Sequence, residues 1–209
     1  MTNWMDISQP LTKQIAHWPG DTPFSYDLTY SKTETGSVNI GQITTSVHTG
    51  THIDAPYHFD DNGTTVDQLD VNLYVGKAVV LDVSHVDTIT PEVLQTYEWD
   101  DGITRVLLKT NLSNNPARFP ESMPALDPEI AIFLHEKGVK LLGVDMPSVD
   151  APDSKELDTH HALHKNGVHI LENIMLDNVT PGIYELIALP LAIHGADGSP
   201  VRAVIKPVE

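Results

Sequence analysis

The sequence predicts one α/β domain over residues 1–209, rich in strands, with a mixed sheet or a barrel-like core. Strand patterns recur along the whole chain, whereas helix patterns are few and short. The length suits a single hydrophobic core. No G-x-G-x-x-G or G-x-x-x-x-G-K-[ST] follows any strand, which argues against a doubly wound nucleotide fold.

In order, "WMDIS" reads as a short strand and "HWPGDTP" as a turn-rich loop. "FSYDLTYSKT" and "VNIGQITTSVHT" alternate imperfectly between polar and apolar residues, as strands do. "KAVVLDVS", residues 77–84, has the continuous apolar run of a buried strand. Thr90 caps the clearest helix, Pro91 fits its first turn because no N–H is needed there, and Glu92 suits its positive end. "TRVLLKT" returns to strand. The Pro/Asn/Ser-rich loop 111–128 is of the length that covers a site or serves an interface. Asp127 caps a second helix, Pro128 opens it and Gly138 stops it. "VKLLGVD" is another buried strand and a short helix follows around "LDTHHALHKNG". Strands close the chain at "VHILENI", "GIYELIALP" and "VRAVIKP".

The formal net charge is −17, from 29 acidic and 12 basic side chains, and no lysine/arginine cluster stands out. Phosphate binding needs concentrated positive charge, so the balance argues against nucleic acid, and equally against anionic membranes. A neutral or zwitterionic small molecule fits better. The apolar run "YELIALPLAIHG" is too short and interrupted to span a bilayer. "MTNWMDISQPL" lacks a basic segment followed by an apolar run, so the expected location is cytoplasmic. The absence of cysteine excludes disulfides, zinc thiolates and a cysteine nucleophile. Any metal must therefore be held by His, Asp, Glu, backbone or water.

Seven of the 11 histidines fall in two stretches, "HTGTHIDAPYHF" (48–59) and "HHALHKNGVHILE" (160–172). A helix through the first would place Asp54 roughly 200° from His52, and Gly50 and Pro56 oppose a helix there. An extended backbone puts His48, His52, Asp54 and His58 on one face and Ile53, Ala55, Tyr57 and Phe59 on the other. Gly50 and Pro56 bend that face. In the second stretch, spacing does not choose among His160, His161 and His164 as a ligand. His169 fits a core or surface role as well as a chemical one. Glu172 interrupts a strand-like run, where a carboxylate is costly unless paired or metal-bound. Asp145, at the end of "LLGVD", is a further pocket candidate, or an acceptor for backbone N–H groups in "DMPS". A metal held by such groups lowers the pKa of bound water and polarises a carbonyl, which is hydrolytic chemistry. His58, further along the face, is then free for proton transfer.

The motif H-x-G-T-H-x-D-x-P-x-H-F, standing here as "HTGTHIDAPYHF", resembles that of the bacterial kynurenine formamidases within the metal-dependent cyclase-like hydrolases. "HWPGDTPF" and "DTHHALHKNGVHILENI" extend the resemblance over essentially the whole chain. It implies a swivelling β/β/α fold, a homodimer, and hydrolysis of N-formyl-L-kynurenine in tryptophan breakdown. It implies two divalent ions per chain, zinc with manganese as the alternative, on His48, His52, Asp54, His160 and Glu172. By the same resemblance His58 shuttles the proton and Trp18 lines the substrate. The nearest rival is a related amidohydrolase acting on another aryl or cyclic amide of the isatin type. A non-catalytic metal-binding domain is the rival of another class, and it would need no His58.

Overall fold

The computed structural model describes residues 3–208. The chain begins with β1 (Met5–Asp6), then a hairpin of β2 (Ser25–Tyr30), α1 (Lys32–Thr35) and β3 (Ile40–Thr44). β4 (His52–Asp54), β5 (Val75–Asp82) and β6 (Thr88–Ile89) follow, then α2 (Pro91–Gln95), β7 (Arg105–Lys109) and β8 (Ala125–Leu126). Next come α3 (Ile130–Glu136), β9 (Leu141–Val144), α4 (Asp158–Lys165) and β10 (His169–Glu172). β11 (Gly182–Ile187), β12 (Gly198–Pro200) and β13 (Val204–Pro207) complete the order.

The main sheet has nine strands in the order β1-β13-β11-β5-β7-β9-β10-β4-β12. β5, β7, β9 and β10 run parallel, and both flanks are antiparallel, so the sheet is mixed as expected. Its central strands are buried on both faces, which is why "RVLLK" and "LLGV" read as unbroken apolar runs. Val106, Leu108, Leu142, Val144 and Ile170 pack on one face under α2, α3 and α4, with Leu94, Ile130, Leu134 and Leu163. Leu107, Leu141 and Leu171 point to the other face, where Ile53 of β4 meets Ile7 and Ile205 from the opposite flank. The two flanks therefore curl toward each other into a half-barrel, and Met175 N–H donates to the Ile7 carbonyl at 2.7 Å across the gap. Fully burying such a leucine stabilises by roughly 1.5–3 kcal/mol.

The helix signals differ from expectation at one point. Thr90 accepts from Val93 N–H and starts α2 as its sequence indicates. Asp127, however, accepts from Glu129 N–H at 2.9 Å, so it closes an Asx turn and α3 starts only at Ile130. Gly138 does stop α3, with φ +77, and Val139 N–H returns to the Leu134 carbonyl. The β2–β3 hairpin stands outside both cores, with Tyr26, Leu28, Tyr30, Ile40 and Ile43 about half exposed. Among the described residues no helix is long and apolar enough to cross a membrane.

Candidate metal centre and active-site cavity

Strand register assembles the centre. β4 carries His52 and Asp54 two residues apart, hence on one face, and its antiparallel partner β10 places Glu172 opposite His52. The extended-face expectation holds only for this pair. Gly50, at φ +68, turns the chain so that His48 comes back to β4, and Pro56–His58 form a 3₁₀ turn instead of more strand. Tyr57 is consequently exposed, although Ile53 and Ala55 are buried. The helix α4 brings in His160. Its neighbour His161 and His164 one turn on are exposed and pack against Phe59, and His169 lies beside Tyr74.

The ligand-type atoms of His48, His52 and Asp54 lie within 4.8 Å of one another, and so do those of Asp54, His160 and Glu172. Asp54 belongs to both groups. His48 Nδ1 is 2.9 Å from Asp54 Oδ1, and His52 Nε2 is 3.3 Å from the same oxygen and 3.4 Å from Glu172 Oε2. His160 Nε2 faces Asp54 Oδ2 at 3.5 Å and Glu172 Oε1 at 3.8 Å. The other nitrogens are anchored: His52 Nδ1–H donates to the Gly50 carbonyl at 2.8 Å, and His160 Nδ1 sits 2.6 Å from Asp150 Oδ2. Such anchoring fixes tautomer and ring orientation, as metal-binding histidines require.

The electrostatics call for a cation. Burial opposes charge on His52 and His160, but bonds to the carboxylates around them win and raise both to about 10. His48 is raised to about 9 by Asp197 and Asp54 against the same burial. Burial and the adjacent Asp54 charge push Glu172 upward, while the three imidazoles hold Asp54 well below the usual carboxylate range in spite of its burial. Asp54 Oδ2 is buried and accepts no hydrogen bond. A buried oxygen left so is costly, and a divalent ion between the carboxylates would satisfy it. Three imidazoles and two carboxylates without thiolate suit zinc or a harder first-row ion. The residues therefore fit a metal site with one or two ions.

Above this base lies a cavity of about 750 Å³. His58 lies on its wall, stacked on His48 with ring centroids 3.9 Å apart and Nδ1 3.5 Å from Asp197 Oδ2. Partial burial, with His48 and His160 nearby, lowers its pKa from the usual histidine value. Trp18 meets Phe119 edge-on at 5.3 Å, so two aromatic rings wall the other side. The loop 111–128 contributes residues 112–116 and 118–122 to that wall. Asp145 lines the cavity too, and it accepts from Thr110 N–H and Oγ1–H at 2.9 and 2.7 Å. Asp150, Asp197 and Phe119 were not singled out by the sequence. Asp197 follows a glycine turn and Asp150 ends "MPSVD", and neither setting resembles a ligand motif.

Residues 5–151 match the family model described as "Putative cyclase". The chain is 56% identical over 207 residues to the kynurenine formamidase of Bacillus cereus, covering 99% of each. The chain belongs to the kynurenine formamidase family. Solved structures of similar shape include one described as a predicted metal-dependent hydrolase from Bacillus stearothermophilus, at 27% identity, TM-score 0.84 and full coverage of both chains. Isatin hydrolase A from Labrenzia aggregata, solved with benzyl benzoate, matches at 25% identity and TM-score 0.82, over 100% of this chain and 94% of that one. The mixed, strand-rich α/β fold is thus common to the formamidase family and its hydrolase relatives.

Proposed function

We propose that the chain hydrolyses N-formyl-L-kynurenine to L-kynurenine and formate, with two divalent ions on His48, His52, Asp54, His160 and Glu172. Zinc is the ion assigned, with manganese as the alternative. The observation that carries this reading is Asp54, whose two oxygens face different ligand groups at the base of an aromatic-walled cavity. The 56% identity to the Bacillus cereus formamidase supports the choice of substrate.

Bound there, the ions would polarise the formyl carbonyl and acidify water. His58 takes a proton and returns it to the departing amine; its lowered pKa keeps it neutral and able to accept at neutral pH. Asp197, 3.5 Å from Nδ1, stabilises the imidazolium that this transfer forms. Trp18 stacks on the aryl ring, with Phe119 supporting it. The leaving amine is conjugated to that ring and so departs more readily than an alkyl amine. A cytoplasmic homodimer completes the reading. Its support is the β2–β3 hairpin, whose apolar side chains stand half exposed although a lone two-stranded hairpin is marginal in water.

Metal analysis combined with a formamidase assay, on wild type and His58→Ala, tests the assignment. The expected result is close to two ions per chain, activity removed by a chelator, and a His58→Ala variant that keeps its metal but loses about 10²–10⁴ in turnover. Full metal without formamidase activity overturns the substrate. Turnover of isatin exceeding that of the formamide moves the chain to the isatin-type reading.

A further inference from the structure

Under the formamidase reading the substrate carries a carboxylate and an ammonium on one carbon, joined through a ketone to the aryl ring. The cavity must receive that zwitterion on a protein of net charge −17. Among the described residues lining the cavity, Arg118 is the one lysine or arginine. Its guanidinium is ion-paired with Glu121, three residues on, which also lines the cavity. The two flank Phe119 and Pro120 and so sit beside the Trp18–Phe119 pair that would hold the ring.

The other carboxylates of the cavity have fixed partners. Asp145 is bonded to Thr110, Glu172 accepts from Val149 N–H at 3.0 Å, and Asp21 accepts from Thr22 N–H at 2.6 Å. Arg118 and Glu121 have side chains 67% and 81% exposed, so their pair is held weakly and can open for a ligand. The loop leading into them, by contrast, is tied down, and Arg118 N–H donates to the Asn115 carbonyl at 3.0 Å. Ala16 N–H donates to the Pro116 carbonyl at 2.7 Å, and Asn114 Nδ2–H donates to the Ile174 carbonyl at 3.0 Å.

We propose that Arg118 and Glu121 clamp the amino-acid end of the substrate, Arg118 binding its carboxylate and Glu121 its ammonium. This rests on the formamidase reading and deepens it. The guanidinium presents a planar fork that matches a carboxylate, and adjacent opposite charges match two charges borne on one carbon. The pair thereby selects amino-acid aryl formamides over uncharged ones, a choice the metal ligands cannot make.

Calorimetric titration of the metal-loaded protein with three ligands tests the clamp. These are L-kynurenine, its deamino acid 4-(2-aminophenyl)-4-oxobutanoate, and 2-aminoacetophenone, which has neither charge. Arg118→Met should weaken both acids about 10-fold or more and leave 2-aminoacetophenone within about two-fold. Glu121→Gln should weaken L-kynurenine and spare the deamino acid. In turnover, Arg118→Met should raise KM for N-formyl-L-kynurenine at nearly constant kcat and leave 2-formamidoacetophenone unaffected. Equal weakening of all three ligands, or unchanged L-kynurenine binding in both variants, overturns the clamp. A wild-type protein that hydrolyses neither formamide overturns the function itself, whereas active variants whose KM for N-formyl-L-kynurenine is unchanged overturn the clamp alone.

Discussion

His160 holds its Nδ1 2.6 Å from Asp150 Oδ2, and its Nε2 therefore faces Asp54 and Glu172. Asp150 also accepts from Thr159 and His160 N–H at 3.0 Å each. That supplies the cap which Leu157, at φ +50 with no side-chain bond, does not give α4. One carboxylate thus starts the helix and sets the tautomer of the histidine that the helix delivers. Asp150→Asn should weaken metal binding by about 10–100-fold, read by competition with a chelator of known affinity. Asp150→Ala should add about 1 kcal/mol of lost stability from the missing cap. Unchanged metal affinity in both variants would sink the orienting role.

Gly198 on β12 leaves room for His48. A Cβ there would lie 2.8 Å from His48 Cε1 and 2.9 Å from the Ile53 carbonyl oxygen, so one of them must move. The Ile53 carbonyl belongs to the sheet and yields less readily than the imidazole. Gly198→Ala should therefore lower metal occupancy more than it lowers thermal stability. Metal content and unfolding temperature, measured on the same preparation, decide this; full occupancy with a large stability loss would refute it.

How far the centre was legible in sequence follows from where each residue gets its geometry. His52 and Asp54 were readable because strand parity is a local property, and their two-residue spacing needs nothing else. His48 and His58 share that parity, but a glycine turn and a 3₁₀ turn bring them to the cluster, so parity alone is an incomplete reason for their convergence. Choosing His160 over His161 required Asp150 and the orientation of α4, which no spacing encodes. The mixed sheet was foreseeable from apolar runs such as "VLL" and "LLGV", which are buried on both faces. The curl that brings Ile53 to Ile7 was not, because it depends on long-range pairing. Loop 111–128 could be read as cover or interface, and its residues 112–116 and 118–122 line the cavity.

Trp18 is 36% exposed and touches Phe119 edge-on, so it contributes little to the core. Trp18→Ala should cost less than about 1 kcal/mol of stability while raising KM for the aryl substrate several-fold, consistent with roughly 0.5–1.5 kcal/mol for an aromatic pair. Urea unfolding and steady-state kinetics separate the two effects. A large stability loss with unchanged KM would reassign Trp18 to packing.

Asp145 gives the stability of this protein a definite pH slope. Burial, helped by the negative charge of Asp177, pushes its carboxyl up to about 7 against the hydrogen bonds from Thr110. In the unfolded chain an aspartate titrates near about 3.9. Between roughly pH 4 and 7 the folded state therefore keeps a proton that the unfolded state has released. The expected outcome is a stability that falls as pH rises through that window, by up to about 1.4 kcal/mol per pH unit, with this contribution flat outside it. Asp145→Asn keeps a polar group of the same shape beside Thr110 but cannot titrate. The variant should gain stability relative to wild type as pH is raised from 5 to 8. Urea unfolding of both proteins across that range measures the difference, with metal-linked proton release shared by both and cancelling. A difference that stays constant with pH would mean that Asp145 is ionised throughout, and that the Thr110 bonds outweigh its burial.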